Sequence, residues 1–348
     1  MGEDEAREVD EDPSIVAAVR RGGEDEFAKL VERHRRELRV HCYRMLGNLD
    51  DADDVVQETF VKAWRSRAGF EGRSTVRTWL YRIATNACLD AIKRKKRRVS
   101  TVDPGAGRGP SFDDVPWLQP IPDRLLDGPA PTVDEPEAVV IASETVALAF
   151  LTAIQHLAPR PRAVLILRDV LGWSAGETAS ALGETVTAVN SALQRARARM
   201  RAVSSSDQRG WERAKAANER ERTLLQRYID AHTRADAAAV IELLGEDVRF
   251  TMPTVVDGQV QEQTRFDGRP AVAGFFRELL GPDGPGEWRL VPTRANRQPA
   301  AANYLRPWGE STFRGVTLDV LRIEQDLVVD ITTFDASVFS TFGLPPTL

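Results

Sequence analysis

Cysteine and histidine are both scarce in this chain of 348 residues: Cys42 and Cys88 on one side, His34, His41, His156 and His232 on the other. Two cysteines cannot build a disulfide framework or a cysteine-rich metal site, and a reducing compartment suits such usage. The histidines stand singly in helical stretches, a setting for packing or solvent contact rather than ligation or proton transfer. No apolar run approaches the roughly 18 residues that span a bilayer. The acidic opening Met1-Gly2-Glu3-Asp4-Glu5 has no apolar stretch behind it to act as a secretory signal. HExxH, P-loop and CxxC patterns are missing, so catalysis through a zinc site of that type, a cradled nucleotide or a dithiol has no footing. The expectation is a cytoplasmic, multi-domain chain that is not an enzyme, needs no metal or cofactor and touches no membrane.

What is present is charge, and it is segregated. The formal net charge is only −5. Residues 1–26 hold ten acids against three bases, whereas 27–98 hold eighteen bases against nine acids. Residues 99–142 return to eight acids against two bases, and 143–201 to seven bases against four acids. Two basic blocks separated by an acidic one suit two contacts with a polyanion, joined by a segment that the polyanion repels.

Hydrophobic spacing makes the first basic block helical. Phe27, Leu30, Val31, Leu38 and Val40 lead to a stop at Gly47-Asn48, and a second helix starts at Asp50 or Asp51 with Ala52, Val56, Phe60 and Ala63/Trp64 on one face. Gly69 and Gly72 mark a loop; Ser74 is the expected N-cap of a third helix running into Lys93-Arg94-Lys95-Lys96-Arg97-Arg98. Between 99 and 142, proline and glycine prevent any long element. The stretch Trp117-Leu118-Gln119-Pro120-Ile121-Pro122 is nonetheless apolar enough to dock on something. Helices resume from Ser143 to Leu157 and from Ala163 to Leu171. Ser174 and Glu177 then form a capping box before a short helix that ends at Gly183, and a second amphipathic helix runs from Thr185 to about Met200. That pair reads as a helix-turn-helix, with Val186, Val189 and Leu193 as its expected core. Beyond the charged bridge Arg209–Glu221, a helix at Leu224–His232, a strand at Val248–Met252, a helix at Ala271–Leu280 and strands near 288–293, 299–305, 311–323 and 327–334 describe a separate α+β domain.

The chemistry sits on three helices. Near the N-terminus of the last helix of the helix-turn-helix lie Thr185, Thr187, Asn190, Ser191 and Gln194, polar groups suited to base edges. Arg195, Arg197, Arg199 and Arg201 follow at positions suited to phosphates. The 74–98 helix interleaves Trp79 and Tyr81 with Arg77, Arg82 and Asn86 before its basic run, a mixture suited to unpaired bases. By contrast Asp51, Asp54, Gln57 and Glu58 make an acidic face inside a basic domain; it would repel DNA and so fits a protein partner.

The run Asp51-Ala-Asp-Asp-Val-Val-Gln-Glu-Thr-Phe-Val-Lys-Ala-Trp-Arg65, followed by Thr78-Trp-Leu-Tyr-Arg-Ile-Ala-Thr-Asn-Ala-Cys-Leu-Asp90, resembles region 2 of the extracytoplasmic-function (group IV) sigma factors of bacterial RNA polymerase. Leu182-Gly-Glu-Thr-Val-Thr-Ala-Val-Asn-Ser-Ala-Leu-Gln-Arg-Ala-Arg197 resembles their region 4. Residues 219–335 resemble SnoaL-like domains through Asp247-Val-Arg-Phe-Thr-Met-Pro253 and Phe266-Asp-Gly-Arg-Pro-Ala-Val272. The resemblance implies two all-α sigma domains, a region 2 helical bundle and a region 4 helix-turn-helix, followed by an α+β SnoaL-like cone. The expected divisions are an acidic segment 1–26, region 2 at 27–98, a linker at 99–142, region 4 at 143–202, a helical bridge at 203–218 and the cone at 219–348.

By the same resemblance, Asp54, Gln57 and Glu58 bind the β′ clamp helices of core RNA polymerase, whose β flap is a further expected contact. Phe70, Trp79, Arg82, Asn86, Lys93 and Arg94 open the −10 element of promoter DNA. Thr185, Thr187, Asn190, Ser191, Gln194, Arg195 and Arg199 read the −35 element. Many relatives have Lys and Arg where this chain has Asn190 and Ala192, which implies a different −35 preference. The cone is expected to contact the sigma domains within the chain and modulate them. Two alternatives stay open: a SnoaL-like small-molecule enzyme fused to a DNA-binding module, which a paired carboxylate and histidine in the cone would favour, and a plain helix-turn-helix repressor, which leaves 50–98 unexplained.

Overall fold

The computed structural model describes residues 23–72, 74–96, 118–126, 146–204, 217–256 and 259–348. The acidic segment before residue 23, Trp117 of the apolar linker stretch, and 205–216 of the charged bridge lie outside the described residues. The chain divides into two compact units: Met1–Asp103 with Leu157–Arg199, and Pro104–His156 with Met200–Leu348.

The first unit is all helical. Helices α1 (Glu24–Leu46), α2 (Leu49–Ser66) and α3 (Val76–Lys96) pack pairwise around Leu38, Met45, Val56, Phe60, Leu80 and Ala84. The two cysteines are buried in the same core. Asn48 is the N-cap of α2, its side chain accepting from the Asp51 amide at 2.9 Å, so the helix opens at Leu49, ahead of the expected start at Asp50 or Asp51. At the start of α3 the capping hydroxyl belongs to Thr75, which accepts from the Thr78 amide at 3.0 Å, and not to Ser74. The rest of the unit comprises α5 (Pro159–Leu165), a wide π turn at Ile166–Val170, α6 (Ala175–Leu182) and α7 (Val186–Ser204); α4 (Leu148–Gln155) belongs to the second unit.

Arg162 of α5 is buried; its Nη1 donates to the Met45 carbonyl at 2.6 Å and its Nη2 to the Leu157 carbonyl at 3.0 Å. A guanidinium there complements the negative end of α1. Burial lowers its pKa to about 10, which leaves it charged at neutral pH.

The second unit holds a six-stranded mixed sheet in the order β2-β1-β6-β5-β4-β3. Its strands are β1 (Leu244–Val256), β2 (Gln259–Asp267), β3 (Gly286–Ala295), β4 (Gln298–Pro307), β5 (Arg314–Glu324) and β6 (Leu327–Asp335). All neighbours pair antiparallel except β1 and β6. Helices α8 (Ala217–Thr233), α9 (Ala237–Glu242) and α10 (Arg269–Leu279) bury Tyr228, Val240 and Phe276 with Phe250, Leu290, Leu321 and Ile331 of the sheet. The chain closes with a short α11 (Phe339–Phe342).

Residues 118–126 of the linker are built into this unit. Leu118 and Ile121 are buried, and Pro122 bridges to Ala295 at the tip of the β3–β4 hairpin. The two-residue loop Asn296-Arg297 has φ of 56° and 63°, the left-handed pair of a tight hairpin turn. Asn296 is fully buried. Its Oδ1 accepts from the Ile121 amide at 3.0 Å, its own amide donates to the Ile121 carbonyl at 2.9 Å, and its Nδ2 donates to the Val146 carbonyl at 2.7 Å. Asp123 receives the Arg297 amide at 2.7 Å and Nε of Arg294 at 3.0 Å, and Gln298 accepts from the Leu148 amide at 3.1 Å.

Candidate nucleic-acid interface

The helix-turn-helix is set by local chemistry. Ser174 and Glu177 close a complete capping box at α6, and Gly183, at φ 64°, turns the chain out of that helix. Thr185 accepts the Ala188 amide at 3.1 Å, so its hydroxyl is engaged in starting α7. Val189, Leu193 and Ala196 are buried against the rest of the motif. Thr187, Asn190, Gln194, Arg195 and Arg199 are exposed, as is Thr185, and Ser191 is half-buried. Val186 departs from its expected place in the core: it is 46% exposed. As the first residue of α7 it lies one turn before Asn190 on the outer face, not over Val189.

Arg197 also departs from expectation. Its Nε and Nη2 donate to the two carboxylate oxygens of Asp169 at 2.9 and 2.6 Å, a forked pair between α7 and the π turn that raises the guanidinium pKa. It braces the motif, and its neighbours Arg195 and Arg199 carry the outward charge. Nothing in the spacing of four alternating arginines distinguishes the bracing one; Asp169, 28 residues earlier, is the signal only once the fold is known.

In the three-helix bundle the expected residues divide by exposure. Arg82, Asn86, Lys93 and Arg94 are exposed along α3. Phe70 and Trp79 are both 4% exposed, with ring centroids 4.9 Å apart. In this arrangement neither ring offers a face to a base; together they anchor the end of the 67–70 loop on α3. The Asn86 amide donates to the Arg82 carbonyl at 2.9 Å and to the Ala181 carbonyl of α6 at 3.3 Å, so the helix-turn-helix rests on the outer side of α3. Tyr81 and Trp173 meet edge to face at 6.1 Å in the same contact zone.

On α2, Asp54 and Gln57 are exposed, Glu58 is half-buried and Val61, one turn on, is 48% exposed. Glu58 is paired with Lys62 at 2.7 Å and with Arg94 of α3 at 3.1 Å. The Lys62 hydrogen bond, then Arg94, holds the Glu58 carboxyl below the usual range. One residue expected at a protein surface and one expected at DNA therefore neutralise each other across α2 and α3.

In the sheet domain, Asp319 and His232 are buried but do not form an acid–base pair. Asp319 accepts from the Tyr228 hydroxyl at 3.0 Å and the Thr333 hydroxyl at 2.7 Å, and burial raises its pKa. His232 donates from Nδ1 to the Tyr228 carbonyl at 2.9 Å, and burial lowers its pKa to about 4.

Three families match successive stretches of the chain. The Sigma-70 region 2 family matches residues 30–98, the Sigma-70, region 4 family residues 147–200, and the SnoaL-like domain family residues 225–331. The chain is 41% identical over 343 residues to the ECF RNA polymerase sigma factor SigG of Mycobacterium tuberculosis, an alignment spanning 95% of this chain and 86% of that one. It is 32% identical over 186 residues to the ECF RNA polymerase sigma-E factor of Haemophilus influenzae, spanning 53% of this chain and 91% of that one. The crystal structure of the Mycobacterium tuberculosis extracytoplasmic function sigma factor SigJ has the same fold, with a TM-score of 0.59 at 20% identity over 90% of this chain and 98% of that one. No described helix is long and apolar enough to cross a membrane.

Proposed function

The chain belongs to the extracytoplasmic-function sigma factors, which direct RNA polymerase to promoters, and from that premise we propose how its parts divide the work. The face bearing Asp54, Gln57 and Glu58 grips the β′ clamp helices of core polymerase in the cytoplasm. Arg82, Asn86, Lys93 and Arg94 track the separated −10 strand, with Phe70 and Trp79 supporting the loop beside it. The outer face of α7 reads the −35 element as a duplex, with the β flap of polymerase behind it. The observation that carries this reading is the sorting of α7, whose apolar side is buried while Asn190, Gln194, Arg195 and Arg199 stand in solvent.

The sheet domain regulates rather than catalyses in this reading. The tether between regions 2 and 4 is hydrogen-bonded into the β3–β4 hairpin through Asn296 and Asp123, and the segment entering region 4 is held by Asn296 and Gln298. A domain that grips both the tether and the entry to region 4 restricts how far the two DNA-binding regions can separate. The enzyme alternative would gain from a carboxylate–histidine pair, and here each of those groups bonds elsewhere.

Run-off transcription with purified core polymerase tests the division. Full-length protein yields promoter-specific transcripts. The double variant Asp54→Lys, Glu58→Lys loses co-purification with core polymerase, and truncation after residue 205 changes transcript yield. Undiminished association of the double variant removes the docking assignment, and unchanged yield on truncation removes the regulatory one.

A further inference from the structure

The reading of α7 as the duplex-reading helix leaves one residue unaccounted for. Val186 exposes 46% of its surface at the first position of the helix, whereas Val189 and Leu193 are buried. The N-terminal residues of a recognition helix are the ones that reach base edges. Thr185, just before it, has its hydroxyl engaged by the Ala188 amide. Val186, Asn190 and Gln194 follow at intervals of four, which stacks them on one face of the helix, and Asn190 and Gln194 are exposed.

An isopropyl group can make no hydrogen bond, and the major groove offers it one apolar partner, the C5-methyl of thymine. Four residues of helix rise about 6 Å, close to two base steps at about 3.4 Å each along a strand. Asn190, one turn on, has the amide that pairs with the adenine edge. We propose that Val186 is a specificity-determining residue of region 4, its side chain seated against the methyl of a thymine about two steps from an adenine read by Asn190. The upstream element is then chosen partly by an apolar contact, and a cytosine at that position, which has no methyl, is rejected.

This rests on region 4 binding the upstream element, and the test separates the two. Holoenzyme made from the full chain and core polymerase selects its upstream element from a randomised library. Each thymine of the selected element is then replaced singly by deoxyuridine, which deletes only the methyl. For the native chain, one replacement is expected to weaken binding about fourfold, the factor associated with burying one methylene-sized group. Val186→Ala is expected to bind the unmodified element correspondingly weaker and to be indifferent to that same replacement. Thr187→Ser, which deletes the other exposed methyl of the first turn, is expected to retain the sensitivity.

If no deoxyuridine weakens the native holoenzyme, if Val186→Ala keeps the sensitivity, or if Thr187→Ser abolishes it, the assignment is overturned. An equal loss of Val186→Ala on every DNA, selected or not, overturns it too by making the residue a polymerase contact. A holoenzyme that selects no upstream element removes the region 4 reading and this inference with it.

Discussion

The helical regions and the sheet domain use polar side chains in opposite ways. On α7 and α3 the amides and cations of Asn190, Gln194, Arg199, Arg82 and Lys93 are exposed. In the sheet domain the most distinctive polar groups, Asn296, Asp319 and His232, are buried and bonded to the chain itself. Two tight hairpin loops among the described residues of that domain sharpen the point. Gln325-Asp326 and Asn296-Arg297 share left-handed φ values between 52° and 63°. The first pair is exposed as such tips ordinarily are, while Asn296 is covered by the linker. The comparison teaches that Asn190, Gln194 and Arg199 on the outer face of α7 keep their hydrogen-bonding capacity for other molecules, whereas Asn296 of the sheet domain commits its own to the tether.

The most damaging break of that comparison is expected at Asn296. Asn296→Ala leaves the Ile121 amide and Val146 carbonyl without their buried partner and places a residue with a Cβ and no capping amide at φ 56°. At roughly 1–3 kcal/mol for each unsatisfied group and about 1 for the backbone, the native docking loses about 4 kcal/mol. Limited proteolysis of the full chain should then cut within 118–126, with the sheet domain intact. A linker equally protected in the variant would show that the grip lies elsewhere.

Next comes His232, which tests whether the buried chemistry is structural. The unfolded chain protonates this side chain near pH 6.5, the folded domain only near pH 4. Its contribution is therefore whole above pH 6.5 and drains away as the pH falls toward 4. At about 1.4 kcal/mol per unit, the loss approaches about 3 kcal/mol. Asp319 works with the opposite sign, since its raised pKa makes the folded state hold a proton that the unfolded state has released. Four histidines make the ring-proton NMR spectrum simple to follow. A His232 resonance titrating above pH 6 would contradict the burial argument, whereas one still neutral at pH 5 agrees with it.

How much of this was legible beforehand depends on whether the signal is local. Ser174 and Glu177 announce the start of α6 within four residues, and the alternating strands near 299–305 and 327–334 appear as β4 and β6. Strand β2 and the short α9 went unread: Gln259–Asp267 is polar and lies at the sheet edge, and Ala237–Glu242 is too short to show a period. The missing pieces of the site are all long-range. The burial of Phe70 against Trp79, the forked pair of Arg197 with Asp169 and the covering of Asn296 by Ile121 each join residues that no periodicity relates. Val186 failed differently. Its apolar character argued for the core, but the turn at Gly183 and the cap at Thr185 start α7 in a rotation that faces position 186 outward.

On the helical side the comparison is sharpened at Asn190. Replacing it by alanine removes an exposed amide and touches no buried contact, so thermal stability should hold. If this amide pairs with an adenine edge, discrimination at one base pair should fall by about 2 kcal/mol, roughly thirtyfold. Uniform weakening across all sequences would make Asn190 a backbone contact instead.

The smallest effect expected, and the most discriminating within one helix, separates Arg197 from Arg199. Both are exposed arginines on α7, two residues apart. Arg197 is already paired with Asp169 through two hydrogen bonds, so it enters DNA binding with its charge offset and its geometry committed to the protein. Arg199 faces solvent. Each phosphate neutralised contributes about 0.9 to the slope of log affinity against log salt. Arg199→Ala should therefore flatten that slope by nearly one counterion, whereas Arg197→Ala should leave it unchanged while loosening the brace between α7 and the π turn. Exposed pairs of this kind contribute little to stability, about 1 kcal/mol at most, so the salt slope rather than the melting temperature is the readout. Equal flattening by both substitutions would mean that Asp169 releases Arg197 when DNA arrives, and the bracing role assigned to it would fall.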